Sequence, residues 1–402
     1  MVSLKFLGWA ELERLADRLG RRSLHRKEKC QKAATPVQAI VRRWDAAMLR
    51  AYTDGRNLAD ESAGIMTTYD IICVGAGPTG LACAMDAKRA GMRPLVIDKG
   101  CLCNSIYNYP SNMIFFTTPE LLEIGDLPMV TGGDKPTRLE ALKYYRKGAE
   151  HYELELRLFE KVLRVDGRDG SFTVVTETAS GREESYAGKK IVVATGYYDL
   201  PNEMGVPGEH FPHVNHYYTE PHPFWNQDVV VIGGKNSAVE SALDLYRNGA
   251  RVTLLVRGKD LGTSLKYWVR PDIENRIKAG QIKALFGVRV LEITREGIRV
   301  ENDGGEQELP AKEVFALTGY HPDYEFIESL GVKLDAESRR PDVNPNTLES
   351  NVPGIYLAGV VIAGRHTGEI FIENGRFHGK QIVDALTGQG SGLSDQGSEK
   401  KE

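Results

Sequence analysis

One hexapeptide decides most of what this chain can fold into: Gly75-Ala76-Gly77-Pro78-Thr79-Gly80, set between the apolar run Asp70-Ile71-Ile72-Cys73-Val74 and an alanine-rich stretch reaching Ala90. The run reads as a buried strand and the stretch as a helix, so the G-x-G-x-x-G spacing falls on the strand-to-helix turn of a β-α-β unit. In such a turn Gly75 permits the tight bend, Gly77 lets the backbone approach a pyrophosphate, and Gly80 lets helix and strand pack closely. Pro78 and Thr79 open the helix, whose free N–H groups face the phosphates. Residues 94–97 form the next strand, closed by Asp98 and Lys99, where a carboxylate accepts from a ribose hydroxyl.

The rhythm restarts at Asp228. Residues 229–232 read as a strand, Gly233-Gly234-Lys235-Asn236-Ser237-Ala238 as a second turn, residues 238–248 as a helix and 252–256 as a strand. Lys235 replaces the middle glycine of the fingerprint. Arg257 stands where an acid would mark NAD, and a cation there suits a 2′-phosphate, which favours NADPH. Lys259 and Arg270 are further candidates for that anion site. Between the two units lie a helix over 139–150, strands over 162–165 and 171–178, and a buried strand over 191–194 closed by Thr195-Gly196. Thr318-Gly319 repeats that strand end, and a late strand over 355–359 ends at Gly359.

These elements predict an α/β chain with two Rossmann-like dinucleotide-binding domains. The first is discontinuous, over 66–225 and 336–388, with the second inserted over 226–335. Residues 201–223 read as a Pro- and His-rich linker. Residues 1–65 form a basic extension, possible in two amphipathic helices or as a start placed too early, and residues 389–402 a disordered tail. A formal charge of −4 gives no basic field for nucleic acid or an anionic membrane, and no apolar run approaches the roughly 18 residues of a membrane span. The five cysteines, Cys30, Cys73, Cys83, Cys101 and Cys103, show no framework spacing, which suits a reducing, cytoplasmic setting. No C-x-x-C occurs, and no His/Cys set completes a metal site.

Five stretches carry a resemblance: 105–110 (Ser-Ile-Tyr-Asn-Tyr-Pro), 194–198 (Ala-Thr-Gly-Tyr-Tyr), 231–238, 319–326 (Gly-Tyr-His-Pro-Asp-Tyr-Glu-Phe) and 370–379 (Ile-Phe-Ile-Glu-Asn-Gly-Arg-Phe-His-Gly). From about Tyr69 to Leu386 the chain resembles the bacillithiol disulfide reductases, thioredoxin-reductase-like flavoproteins of the two-dinucleotide type that lack the redox cysteine pair. The resemblance implies FAD on the first turn, NADPH on the second, a low-molecular-weight thiol disulfide as substrate and a homodimer. That family often carries a cysteine at the fifth place of its first glycine motif; here the place is Thr79.

Candidates near the flavin are Thr79, Tyr107, Asn108 and Tyr109, with His366, Glu369 or His378 as proton donor. The cofactor-binding set is Gly75, Gly77, Pro78, Thr79, Gly80, Asp98, Lys99, Thr195, Gly196, Gly233, Gly234, Asn236, Ser237, Ala238, Arg257 and Gly359. Two other readings stay open: an NADPH-dependent reductase of ferredoxin, flavodoxin or a quinone, and a non-catalytic FAD/NADPH redox sensor.

Overall fold

The computed structural model describes residues 67–388; the expectations for 1–65 and 389–402 lie outside them. The chain opens with β1 (Thr68–Val74), α1 (Pro78–Arg89) and β2 (Pro94–Asp98). A short helix α2 (Asn104–Tyr107) and the longer α3 (Arg138–His151) follow. Thr137 caps α3 in a reciprocal box with Glu140, which satisfies donors the first helical turn leaves open. Then come β3 (Glu155–Leu158), β4 (Glu160–Arg168), β5 (Ser171–Thr178) and β6 (Glu183–Val193).

β6 is the axis of the first sheet. One edge pairs with β1 over 187–193, while the other pairs antiparallel with β5 over 183–188. The sheet runs β3-β2-β1-β6-β5-β4. Ile71–Val74 and Ile191–Val193 are buried on both faces, the near-continuous apolar signature of parallel strands covered on both sides.

After β6 the chain passes β7 (Leu200–Pro201) and β8 (Val214–Asn215) into a second parallel sheet. Its units are β9 (Asp228–Ile232), α4 (Asn236–Arg247), β10 (Arg251–Val256), α5 (Arg270–Lys278) and β11 (Lys283–Phe286). The antiparallel trio β12 (Arg289–Ile293), β13 (Gly297–Asn302) and β14 (Gly305–Pro310) precedes β15 (Glu313–Ala316). The order is β11-β10-β9-β15-β8. Val214 lies in the stretch read as linker, yet it pairs with Val314 and so joins this sheet.

The return passes β16 (Tyr320–His321), which pairs antiparallel with β7, so both crossovers run side by side. Helix α6 (Tyr324–Ser329) packs Ile327, with Leu330 and Val332, into the core of the first sheet. These residues precede 336, so the first sheet's packing resumes earlier than the spacing suggested. β17 (Ile355–Leu357) then pairs with Ile191–Val193 of β6. The short helix α7 (Ile372–Gly375) and α8 (His378–Thr387) close the described chain, with Ile382 and Val383 of α8 buried in the cluster that holds Cys83 and Ala87 of α1.

Candidate active site

The first glycine turn is built by steric exclusion. Gly75 has φ +113°, and a Cβ there would lie 2.3 Å from the Ala194 carbonyl oxygen. A Cβ on Gly80 would lie 1.9 Å from the Gly75 carbonyl oxygen. Gly77 meets nothing within 4 Å and stands open to the cleft beside Pro78 and Thr79. Asp98, at the end of β2, accepts from Ala76 N–H at 2.7 Å and from Gly100 N–H at 2.8 Å. It therefore pins the turn as well as facing the cleft, and burial pushes its carboxyl above the ordinary value.

Thr195 and Gly196 follow β6 at the same sheet end. The Thr195 hydroxyl is buried with no hydrogen-bond partner, an arrangement that costs free energy until a ligand supplies one. Two cavities, of about 740 Å³ and 310 Å³, share Asp98, Thr195, Gly196, Tyr197 and Asp199. Together they make an elongated site along the sheet end, with Lys99 at the smaller cavity and its ammonium 3.0 Å from Asp199. The orphaned hydroxyl, the open cradle at Gly77 and the elongated shape fit a dinucleotide such as FAD.

Thr79 sits beneath the late segment. A Cβ on Gly359 (φ +78°) or on Gly375 would lie 3.0 or 3.1 Å from the Thr79 hydroxyl oxygen. Gly359 N–H donates to His378 Nδ1 at 2.9 Å, and burial lowers the pKa of that imidazole. His378 is thus a neutral acceptor holding the backbone at Gly359, not a proton donor aimed at the cleft.

The second turn faces the same large cavity through Asn236 and Ser237. Gly233 has φ +140°, and a Cβ would meet the Leu317 carbonyl oxygen at 2.6 Å; on Gly234 it would meet Val256 at 2.8 Å. Ala238 is buried. Lys235, at the missing glycine's place, adopts an extended backbone as the residue before α4, so an L-residue is accommodated there. Asn236 accepts from Lys266 N–H at 2.9 Å, tying α4 to the following loop. Arg257 and Lys259 are exposed past β10 and, among the described residues, form no ion pair. Arg270 is committed elsewhere: it donates to the Gly262 carbonyl at 2.8 Å and pairs with Glu274 at 3.0 Å.

Tyrosines wall the seam where the crossovers meet. Tyr198 lies 4.9 Å from Tyr109 and 4.4 Å from Tyr320 between ring centres, and Tyr217 stacks on Tyr320 at 5.2 Å. Tyr109, Tyr197, Tyr198 and Tyr320 line the cleft, and burial raises the pKa of each.

Besides His378, four of the candidates expected near the flavin fall outside the cleft lining, as do Arg257, Lys259 and Arg270 of the expected anion site. Tyr107 is 55 % exposed and turned outward, with the Arg138 guanidinium 5.5 Å above its ring. Asn108 donates to the Asn104 carbonyl at 2.9 Å. His366 is exposed on the loop before α7, and Glu369 is ion-paired to Arg340. Tyr107 ends α2 on its exposed side, while Tyr109, just past the helix, lines the cleft.

The described cysteines offer no ready thiolate. Cys73, Cys83 and Cys103 are buried, and burial raises each thiol's pKa, that of Cys73 to about 12. Cys101 is partly exposed, also with a raised pKa, and Cys30 lies outside the described residues. Among the described residues no group of three or more His, Cys, Asp or Glu could hold a metal ion. Motif reading missed Glu240, Asp244, Lys266, Trp268 and Glu373, which also line the cleft. The first four lie on or beyond α4 and face inward only through tertiary packing. Glu373 stood within a quoted motif but carried no spacing signal.

The pyridine nucleotide-disulphide oxidoreductase model matches residues 72–359. The chain belongs to that family. It is 47 % identical over 315 residues to the bacilliredoxin reductase of Bacillus subtilis (strain 168), covering 78 % of this chain and 95 % of that protein. The structure of a bacillithiol disulfide reductase from Bacillus cereus superposes with a TM-score of 0.78 at 44 % identity, covering 80 % of this chain and 100 % of that one. A Staphylococcus aureus bacillithiol disulfide reductase gives 0.76 at 40 % identity, covering 81 % and 99 %. The resemblance read from the five stretches is borne out, and the protein is an oxidoreductase that uses FAD and a nicotinamide dinucleotide.

Proposed function

We propose that the protein is an NADPH-oxidising, FAD-dependent reductase of a low-molecular-weight thiol disulfide of the bacillithiol type, acting as a cytoplasmic homodimer. The observation that carries the reading is one continuous cleft shared by both glycine turns and served, among the described residues, by no accessible dithiol. FAD would lie along the first sheet's end, held by Gly75, Gly77, Gly80, Thr195 and Gly196, with Asp98 fixing the turn and Gly359 closing over Thr79. NADPH would take Gly233, Gly234, Asn236 and Ser237, with Arg257 on its 2′-phosphate. When bound, the flavin accepts a hydride and supplies two electrons to an acceptor.

The protein's own work is placement. The Gly75–Gly80 turn presents N–H groups to phosphates. The tyrosines Tyr109, Tyr198 and Tyr320 pack on one another and line the cleft. The His378 acceptor keeps the Gly359 backbone against Thr79. The flavin domain would be built on residues 66–225 with 336–388 and the NADPH domain on 226–335, except that Val214 joins the second sheet and Ile327, Leu330 and Val332 the first, which moves both junctions toward the β7–β16 pair.

The test is steady-state oxidation of NADPH with bacillithiol disulfide, counting thiols formed. Two thiols per NADPH, with NADH far poorer, supports the reading. NADPH oxidation that occurs only with ferredoxin, flavodoxin or a quinone would replace it. Light scattering of the holoenzyme reads the dimer directly.

A further inference from the structure

Reduction of a disulfide produces two thiolates, and an alkyl thiolate is a poor leaving group unless it is protonated. Two electrons from NADPH, passed through the flavin, break the S–S bond. One proton travels with the hydride equivalent; the second must come from elsewhere, giving NADPH + H⁺ + RSSR → NADP⁺ + 2 RSH. A cleft performing this reaction therefore has use for one protonated group within reach of the departing sulfur.

The other carboxylates that line the cleft are engaged. Asp98 accepts from two backbone N–H groups, Asp199 pairs with Lys99, Glu240 pairs with Lys266 at 2.6 Å, and Asp244 accepts from the Tyr218 hydroxyl at 2.6 Å. Glu373 differs. It lies in α7, between the exposed Phe371 at the mouth and Gly375 over Thr79. Among the described residues its carboxylate has no ion-pair partner and no hydrogen bond from another residue's side chain. The charged and titratable groups around it are Arg376 on its own segment, Tyr109 from the loop after α2, and Tyr145 from α3.

We propose that Glu373 is the proton donor to the leaving thiolate, taking its proton from solvent and giving it to the second sulfur as the S–S bond breaks. The inference rests on the disulfide reductase reading above. Its physical support is consistent: burial raises the carboxyl above its ordinary 4.5, outweighing the lowering by its own amide and by Arg376, which keeps more of the acid form near neutral pH. Tyr109 and Tyr145 are neutral, since burial raises both, so neither opposes that shift with a charge.

The experiment compares wild type, Glu373→Gln and Glu373→Asp holoenzymes in anaerobic half-reactions. Reoxidation of the NADPH-reduced enzyme by bacillithiol disulfide should slow about 100-fold in Glu373→Gln and recover in part in Glu373→Asp. Reoxidation by a nitro-substituted aryl disulfide, whose acidic thiol departs as the anion, should be spared; a merely structural role would slow both. A readout independent of turnover is the infrared carboxyl band of the oxidised holoenzyme, wild type minus Glu373→Gln, followed against pH. A midpoint above 4.5 is expected, and one at or below it overturns the proposal. Equal rates in wild type and Glu373→Gln with the alkyl disulfide overturn it alone. A wild type that bacillithiol disulfide does not reoxidise removes the disulfide reading and the proposal together.

Discussion

Asp86 is an ionisable group placed where ionisation is costly. It lies on α1 beneath α8, its side chain only 15 % exposed, and a Cβ on Gly379 would stand 2.6 Å from its carboxylate. Arg89 reaches it at 3.4 Å, too long for a strong bond. Burial is the largest cause of a rise from 3.8 to about 6; Arg89 and Lys380 oppose it, while Asp126 and Asp384 add to it. Between those two values the folded protein keeps a proton that the unfolded chain has released. The contribution of Asp86 to stability is therefore highest below about pH 4 and falls as pH rises to about 6, above which its full penalty applies. At about 1.36 kcal/mol per pH unit the interval is worth roughly 3 kcal/mol, an upper figure because the group keeps some solvent contact. Asp86→Asn removes the charge at nearly constant shape. Urea unfolding at pH 4, 6 and 8 should show no gain for the variant at pH 4 and a gain of roughly 1–3 kcal/mol at pH 8. Equal midpoints for the two proteins at pH 8 would refute the reasoning.

Three other outcomes follow from the site. Gly80→Ala places a Cβ 1.9 Å from the Gly75 carbonyl oxygen, so the turn must open; a cost of about 2 kcal/mol weakens FAD binding roughly 30-fold, read by flavin release during dilution. Arg257→Ala should raise KM for NADPH about 10- to 100-fold and leave KM for NADH unchanged, as loss of a charge-assisted contact of about 1.5–3 kcal/mol demands. Cys101→Ser removes the most exposed of the described thiols and should leave turnover with the disulfide unaltered, checked by NADPH oxidation.

How much of this was legible follows from which residues act through the backbone. Gly75, Gly80 and Gly233 could be read because their places forbid a side chain, and the spacing that forbids it is local. The sheets could be read because parallel strands need unbroken apolar runs such as 71–74 and 191–193. Val214 escaped because a two-residue strand has no period, and Ile327 because a six-residue helix leaves little amphipathic signal. Tyr107 and Tyr109 are two residues apart and share a chemistry, but one ends α2 facing solvent and the other follows it into the cleft, a difference set by tertiary packing. Arg270 looked like an anion ligand until its loop was closed through the Gly262 carbonyl. Glu373 became visible as a lone acid only when every other carboxylate of the cleft had been given its partner.

The central claim is that the flavin serves the acceptor without a thiol relay. It is tested most directly by anaerobic reductive titration of the holoenzyme, followed by reoxidation with bacillithiol disulfide. A flavin acting alone takes up one equivalent of NADPH per FAD and returns it to one equivalent of disulfide. Uptake of two equivalents per FAD would reveal a redox-active cysteine pair and contradict the account.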